Sequence, residues 1–575
     1  MTGGNLELEK RRRIAGTPAF RSGAVQKLPV ELLVKIFLDL RMSLHVTSGP
    51  YAWTSVLLVN KTWYQAAIQF PILWNMLDLS ITTPLCFVER SRGLPLTVLY
   101  DVEDGATPRP LGPYSTCFLR ARDLILGGIS HDNLREAFGN LTSLPLLEHL
   151  GVYPLMDNHS LPDILISGYF PNLTKLLLIL SPESGWRYSI RSPNLRTLYI
   201  SDLCRQNPVT NTELSNCLKN MPLLEHLHMK SVTLLPDEGG ELTMIPASTI
   251  SLRNLLHLVL DGSLEACTAL LNGLALPPST NIDVRCSLPN ERPRRLDAIE
   301  NSLPKLSNVL YDKIALRDDS GALLNPIKSM LVQQFATVGP ITERLESSSR
   351  VHFLRADSLP NQHDKSMFFS QVRRTNVLAK DSLFENGRCQ GVQVILYWSI
   401  TDEDPTSFYR LDSWPARICS TLPLEQVTTV GVELDPRTTH LKLRDMCPNV
   451  TTVIATDEED EFRGLRYLLN NDGKGNHFYK RFYWAGMKTL VLDRIDFSKP
   501  SALHRELDNL RLSLRDLQIA DTLTLEEIYF VTSFPTEDIT LRARGSLQKL
   551  KDAFPEIDIV MLDGEFRKRK IGLFL

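Results

Sequence analysis

Pro145-Leu146-Leu147-Glu148-His149-Leu150 returns letter for letter as Pro222-Leu223-Leu224-Glu225-His226-Leu227. Between the copies stand Pro171-Asn172-Leu173-Thr174-Lys175-Leu176 and Pro193-Asn194-Leu195-Arg196-Thr197-Leu198, and Leu255-Leu256-His257-Leu258 follows. Taking the first leucine of each L-x-x-L as register gives positions 147, 173, 195, 224 and 255, at steps of 26, 22, 29 and 31 residues. Each block carries a further apolar residue two places on, at Val152, Leu178, Ile200, Met229 and Leu260. That alternation predicts a short strand with one face turned inward. A unit of this size cannot bury its apolar face alone, so the units must stack.

The period is the signature of leucine-rich repeats, in which each unit adds a strand and a return segment. Residues 213–220, 264–272 and 503–510 have helical apolar spacing and are read as returns. Fainter strand copies occur at 427–432, 450–455, 487–492 and 514–519. Between about 277 and 426 the rhythm is lost. Pro277-Pro278, Pro289, Pro293 and a polar stretch at 346–380 predict long loops, either an irregular insertion or degenerate repeats.

Upstream, LPVELLVKIFLDL (28–40), SVLLVNKTW (55–63) and PILW (71–74) are three short helical patterns punctuated by proline and tryptophan. Leu28, Leu32, Leu33, Ile36, Phe37 and Leu40 lay one apolar stripe along a helix. Pro29 occupies a first-turn position, where its missing N–H costs nothing. So short a helix must have its stripe covered by neighbours or by a partner.

The Leu28-Pro29 opening, Glu31-Leu32-Leu33, Ile36-Phe37, Val56-Leu57-Val59, Trp63 and the Pro71-x-x-Trp74 close resemble an F-box, the helical module that docks substrate receptors onto a Skp-family adaptor in cullin-based ubiquitin ligases. The sequence departs from that motif at Asn60, where cysteine or serine is common, and in an extended link over 41–50. The string GSLEACTALLNGLALPPST (262–280) resembles what large mushroom-type fungal F-box families carry after their central repeats. The resemblance implies an α/β chain with a flexible segment at 1–24, a three-helix F-box at 25–79, leucine-rich repeats at 80–276, the irregular region at 277–426, and further repeats with a C-terminal tail at 427–575. It implies adaptor contacts through Leu28, Pro29, Glu31, Leu32, Ile36, Phe37, Val59, Trp63 and Trp74, by docking or by the packing that shapes the docking face. The function implied is a non-catalytic substrate receptor joined through the adaptor to a cullin. The alternative is a repeat scaffold unconnected with ubiquitin, whose helical N-terminus caps the stack.

Composition narrows the classes. At 575 residues the chain exceeds one compact core, so several domains or an elongated array is expected. A net charge of −3 shows no basic excess, which disfavours nucleic acid as main partner. Nine cysteines without a C-x-x-C pair suit reduced thiols of a cytoplasmic or nuclear protein. No apolar run approaches the roughly twenty residues of a membrane span, and the charged start MTGGNLELEKRRR lacks a secretory apolar core.

Catalytic and cofactor patterns are absent: no phosphate loop, nucleophile elbow, H-E-x-x-H or dinucleotide turn occurs. Cys86 and Cys117 have no basic or histidine neighbours to favour thiolate. His149, His226 and His257 share one slot, before the second framework leucine. In a strand that slot points away from the packed face, in a row with Lys175 and Thr197, while His228 and Tyr199 lie on the same side. The readings are a solvated face or a substrate-binding surface, the latter using His149, Lys175, Tyr199, His226, His228 and His257. No acidic or thiolate third ligand shares the register, so no metal or cofactor is expected. Asp457–Glu461 is read as a solvated loop, and the basic runs at 10–13 and 567–570 as flexible tails.

Overall fold

The computed structural model describes residues 28–48, 51–80, 85–101, 111, 114–128, 138, 143–152, 170–180, 192–202, 209–230, 234–235, 250–288, 298–315, 323–324, 327, 329–338, 345–355, 390–400, 414–433, 446–456, 486–495, 507–508, 510–512, 514–515, 518, 523–532 and 541–562. It is a mixed α/β structure dominated by parallel strands. The chain forms two compact units, the first Met1–Asp157 with Leu161–Leu165 and the second Asn158–Ser160 with Ile166–Leu575.

The first unit opens with α1 (Val30–Ser48), a 3-10 turn (Ala52–Leu58), α2 (Lys61–Gln69) and a second 3-10 turn (Pro71–Trp74). Residues 41–48 of the expected link are therefore helical. Leu33 and Phe37, four residues apart on α1, are fully buried. Asn60 caps α2, its side chain accepting from the Trp63 backbone N–H at 2.8 Å. Trp53, Trp74 and Phe87 pack edge to face, with centroids 5.2, 4.8 and 6.3 Å apart. Then come β1 (Met76–Asp78), α3 (Cys86–Arg90), β2 (Leu96–Asp101), α4 (Ser115–Phe118), β3 (Ala121–Gly127) and β4 (His149–Val152), the strands pairing in parallel in chain order. β1, β2 and β3 precede the first L-x-x-L block.

In the second unit, β5 (Lys175–Leu180), β6 (Thr197–Asp202), β8 (His226–Lys230), β11 (His257–Ser263) and β13 (Asn281–Ser287) pair in parallel, each with the next. The short strands β7 (Val209–Thr210) and β9 (Leu234–Leu235) pair with each other, as do β10 (Ile250–Ser251) and β12 (Leu274–Ala275). β8 shows why the blocks fold so: Leu227 and Met229 are buried, while His226, His228 and Lys230 alternate to the other face. Three asparagines of these blocks stitch their block to the one before. Asn194 donates to Pro171 O at 2.7 Å, Asn254 to Pro222 O at 3.0 Å and Asn449 to Glu425 O at 2.6 Å. Return helices α5 (Asn211–Lys219) and α6 (Leu264–Gly273) start at side-chain caps, a Thr210/Glu213 capping box and Ser263.

The described residues of the region expected to be irregular include regular elements. After α7 (Leu303–Ile314) come three long strands, β14 (Ser329–Val338), β15 (Leu345–Arg355) and β16 (Gln390–Ile400), paired antiparallel as β14–β15–β16. β16 joins β13 in parallel and β14 joins β17 (Thr429–Glu433) in parallel, so the hairpin strands are spliced into the sheet. The helical layer runs straight past the splice, because Ser307 on α7 donates to Ile418 O on α8 (Trp414–Cys419) at 3.1 Å, 111 residues on. Parallel pairing then resumes through β18 (Thr452–Thr456), β19 (Thr489–Ile495), β20 (Glu527–Thr532) and β21 (Asp558–Leu562), with α9 (Leu541–Ala553) before the last strand. The copies at 427–432, 450–455 and 487–492 fall on β17 to β19. That at 514–519 does not fall on a strand: 514, 515 and 518 are helical, and the strand comes at Glu527. The returns expected at 213–220 and 264–272 are α5 and α6.

Candidate protein-interaction surfaces

On α1, Leu32 and Ile36 are one turn apart and both exposed, on the side away from buried Leu33 and Phe37. Leu58 and Val59 end the first 3-10 turn, Tyr64 lies in α2 and Ile72 in the second 3-10 turn. These six side chains keep between 43 % (Ile36) and 88 % (Leu58) of their surface exposed. Large apolar groups left outside the core are the residue type from which interaction surfaces are built. Of the other residues that sequence places at the adaptor, Pro29 and Glu31 are exposed and Leu28 and Trp63 half-buried. Phe37 and Trp74 belong to the core, as the tight packing around them requires. Phe37 meets Trp63 at 5.3 Å between ring centroids, and the Trp74 indole N–H donates to Ala67 O at 2.8 Å. They shape the outer face from beneath.

Leu58, Tyr64 and Ile72 were not legible as surface groups.

On the second unit's strand face part of the expected row forms, without His149. Lys175, Thr197, His226 and His257 are register partners, continued by Asn281. His226 and His257 stack with centroids 4.8 Å apart and planes 6° from parallel, and His257 Nδ1 is 3.2 Å from the Asn281 amide nitrogen. Burial, then the neighbouring His226, pushes His257 down to about 4. The next row is Leu177, Tyr199, His228, Val259 and Asp283, and beyond it lie Ile179, Ser201, Lys230, Asp261 and Arg285. Tyr199 and His228 meet edge to face at 4.4 Å. Tyr199 is consequently buried, not the exposed anchor that its register suggests. Burial, and then the charges of Arg285 and Lys230, hold His228 well below its ordinary range. Asp283, 1 % exposed, accepts from Arg285 Nη2 at 2.8 Å and Nε at 3.2 Å. At β13 the charges of Asp283 and Arg285 are matched to each other.

His149 belongs to the first unit, in a row with Thr97 and Asp123. Its Nδ1 bonds Asp123, which also accepts from Thr97 Oγ1 at 2.8 Å and Arg122 Nη2 at 3.0 Å. Burial is the largest influence on Asp123 and acts upward. The hydrogen bonds of His149 and Thr97 and the charge of Arg122 outweigh it, so the carboxyl titrates below its usual range.

The chain matches no family model and no curated protein. Among the described residues no group of three or more histidines, cysteines or carboxylates is placed to hold a metal. No described helix is long and apolar enough to cross a membrane. Burial raises the thiols of Cys117, Cys217, Cys419 and Cys447, which disfavours the thiolate a nucleophile needs.

Proposed function

We propose that the chain is a non-catalytic substrate-recognition subunit of an SCF-type cullin ubiquitin ligase. Residues 25–79 act as an F-box and dock a Skp-family adaptor, and the repeats act as a leucine-rich-repeat solenoid whose strand face binds a protein substrate. The observation that carries the reading is the outward apolar set of Leu32, Ile36, Leu58, Val59, Tyr64 and Ile72 on the segment that resembles an F-box. A docking face of standard size takes about 800 Å² from each partner, with a few apolar anchors dominating. Parallel strands added in chain order behind helical returns support the solenoid reading. Capping and docking are compatible here, since Leu33, Phe37 and Trp74 pack inward while the six face out.

The chemistry asked of the chain is proximity. Tethering a substrate lysine near a charged ubiquitin-conjugating enzyme replaces a bimolecular encounter with an effectively intramolecular one. The test is titration of the purified full chain with a purified Skp-family adaptor. The expected outcome is wild-type binding that Leu32→Asp with Leu58→Asp weakens at least a hundredfold, with the far-ultraviolet dichroism unchanged. Equal binding by the folded double variant overturns the assignment of this face.

A further inference from the structure

Arg41 lies five residues beyond Ile36 on α1 and is 9 % exposed. Its Nη1 sits 2.9 Å from Ile72 O, 3.3 Å from Leu73 O and 3.0 Å from Asn75 Oδ1. Asn75 carries the connection onward, its amide donating to Pro95 O at 3.3 Å and its carbonyl accepting from Thr97 N at 2.8 Å, which reaches β2. Among the described residues Arg41 has no carboxylate partner and its Nε no hydrogen-bond partner. A buried cation is costly unless compensated, and here backbone and amide oxygens alone compensate it. Packing would be served more cheaply by methionine or leucine. What those cannot do is hold two carbonyl oxygens of the short 3-10 turn Pro71–Trp74 together with the side-chain oxygen of Asn75 just after it. Burial lowers the guanidinium to about 10, which leaves it charged at neutral pH.

We infer that Arg41 is a positioning residue for the docking face: it fastens the turn bearing Ile72 to the helix bearing Leu32 and Ile36, and through Asn75 fixes both to the sheet of the first unit. This rests on the docking reading above and adds a residue outside the apolar set. A rigid link of this kind is what a receptor needs if a bound partner is to be held at a fixed angle to the strands. Losing it leaves the other five apolar side chains in place but lets Ile72 wander.

The experiment uses the full chain with Arg41→Met, Arg41→Lys and Asn75→Ala, the first also combined with Ile72→Ala and, separately, with Leu58→Ala. Affinity for the Skp-family adaptor should fall about tenfold in Arg41→Met and recover in part in Arg41→Lys. The loss should largely vanish in the Ile72→Ala background and persist in the Leu58→Ala background, a selectivity that general destabilisation does not produce. Equal losses in both backgrounds, or none, overturn the inference. Hydrogen exchange provides a partner-free readout: Arg41→Met should speed exchange at the Leu73 and Thr97 amides, and unchanged protection there overturns the inference as well. If the wild-type chain ignores the adaptor, the docking reading falls, and exchange alone then decides the fastening role. Should Arg41→Met fail to fold, Asn75→Ala breaks the same link and takes its place in both readouts.

Discussion

The helical segment of the first unit and the strand face of β6 to β13 in the second solve opposite problems. The first turns six large apolar side chains outward, while the second buries charged and polar ones, with Asp283, Asp261 and Arg285 each less than a tenth exposed. Apolar groups left outside gain free energy when another chain covers them. Buried charges gain nothing from a visitor unless it matches hydrogen bonds they already make. The contrast teaches that position on an outward face is not availability: at β13 the sheet's outward residues are already engaged with one another.

Breaking the Asp283–Arg285 pair should give the largest effect. Arg285→Met leaves a carboxylate that is 1 % exposed without its partner, and the expected loss is about 3–5 kcal/mol. Asp283→Leu with Arg285→Met should recover most of it, because the uncompensated charge is gone. Denaturant midpoints of the two variants decide the matter. A loss under about 1 kcal/mol for the single variant would mean that water reaches the pair, and the contrast with the helical segment would shrink accordingly.

Acid gives the next effect. His257 titrates at about 4 in the folded chain against an ordinary value of 6.5, and His228 is displaced in the same direction. Between pH 6.5 and 4 the unfolded chain therefore binds more protons than the folded one, so the stability contributed by neutral His257 is present above pH 6.5 and drains away as pH falls toward 4. For this partly exposed, stacked ring the expected size is about 1–3 kcal/mol. Unfolding midpoints at pH 7.5 and 5.0 should differ, and His257→Leu should reduce the difference. A flat profile between those values would place the stacked imidazoles in solvent.

Much of the fold was legible wherever a leucine block announced a strand. The blocks at 173, 195, 224 and 255 each open a strand with the expected register, because alternation fixes which side of a strand faces inward. β14, β15 and β16 carry no L-x-x-L block, so the repeat period says nothing of them. α1 extends to Ser48, past the last residue of its apolar stripe and into the link expected over 41–50. Exposure was the hardest property to read. Leu32 and Leu33 are adjacent leucines in one helix, yet only the second is in the core. Tyr199 has the register foreseen for it and is buried because His228 lies against its ring.

The smallest effect tests the helical side of the comparison. Leu32→Ser with Leu58→Ser removes two outward apolar groups, Leu32 being 48 % and Leu58 88 % exposed. Stability should change by no more than about 0.5 kcal/mol per site, while the tendency to self-associate at high concentration should fall as the apolar surface shrinks. Thermal unfolding and light scattering on the same samples measure the two. A drop in stability of several kcal/mol would mean that these side chains already serve the interior, and the outward set would then have no claim to a partner.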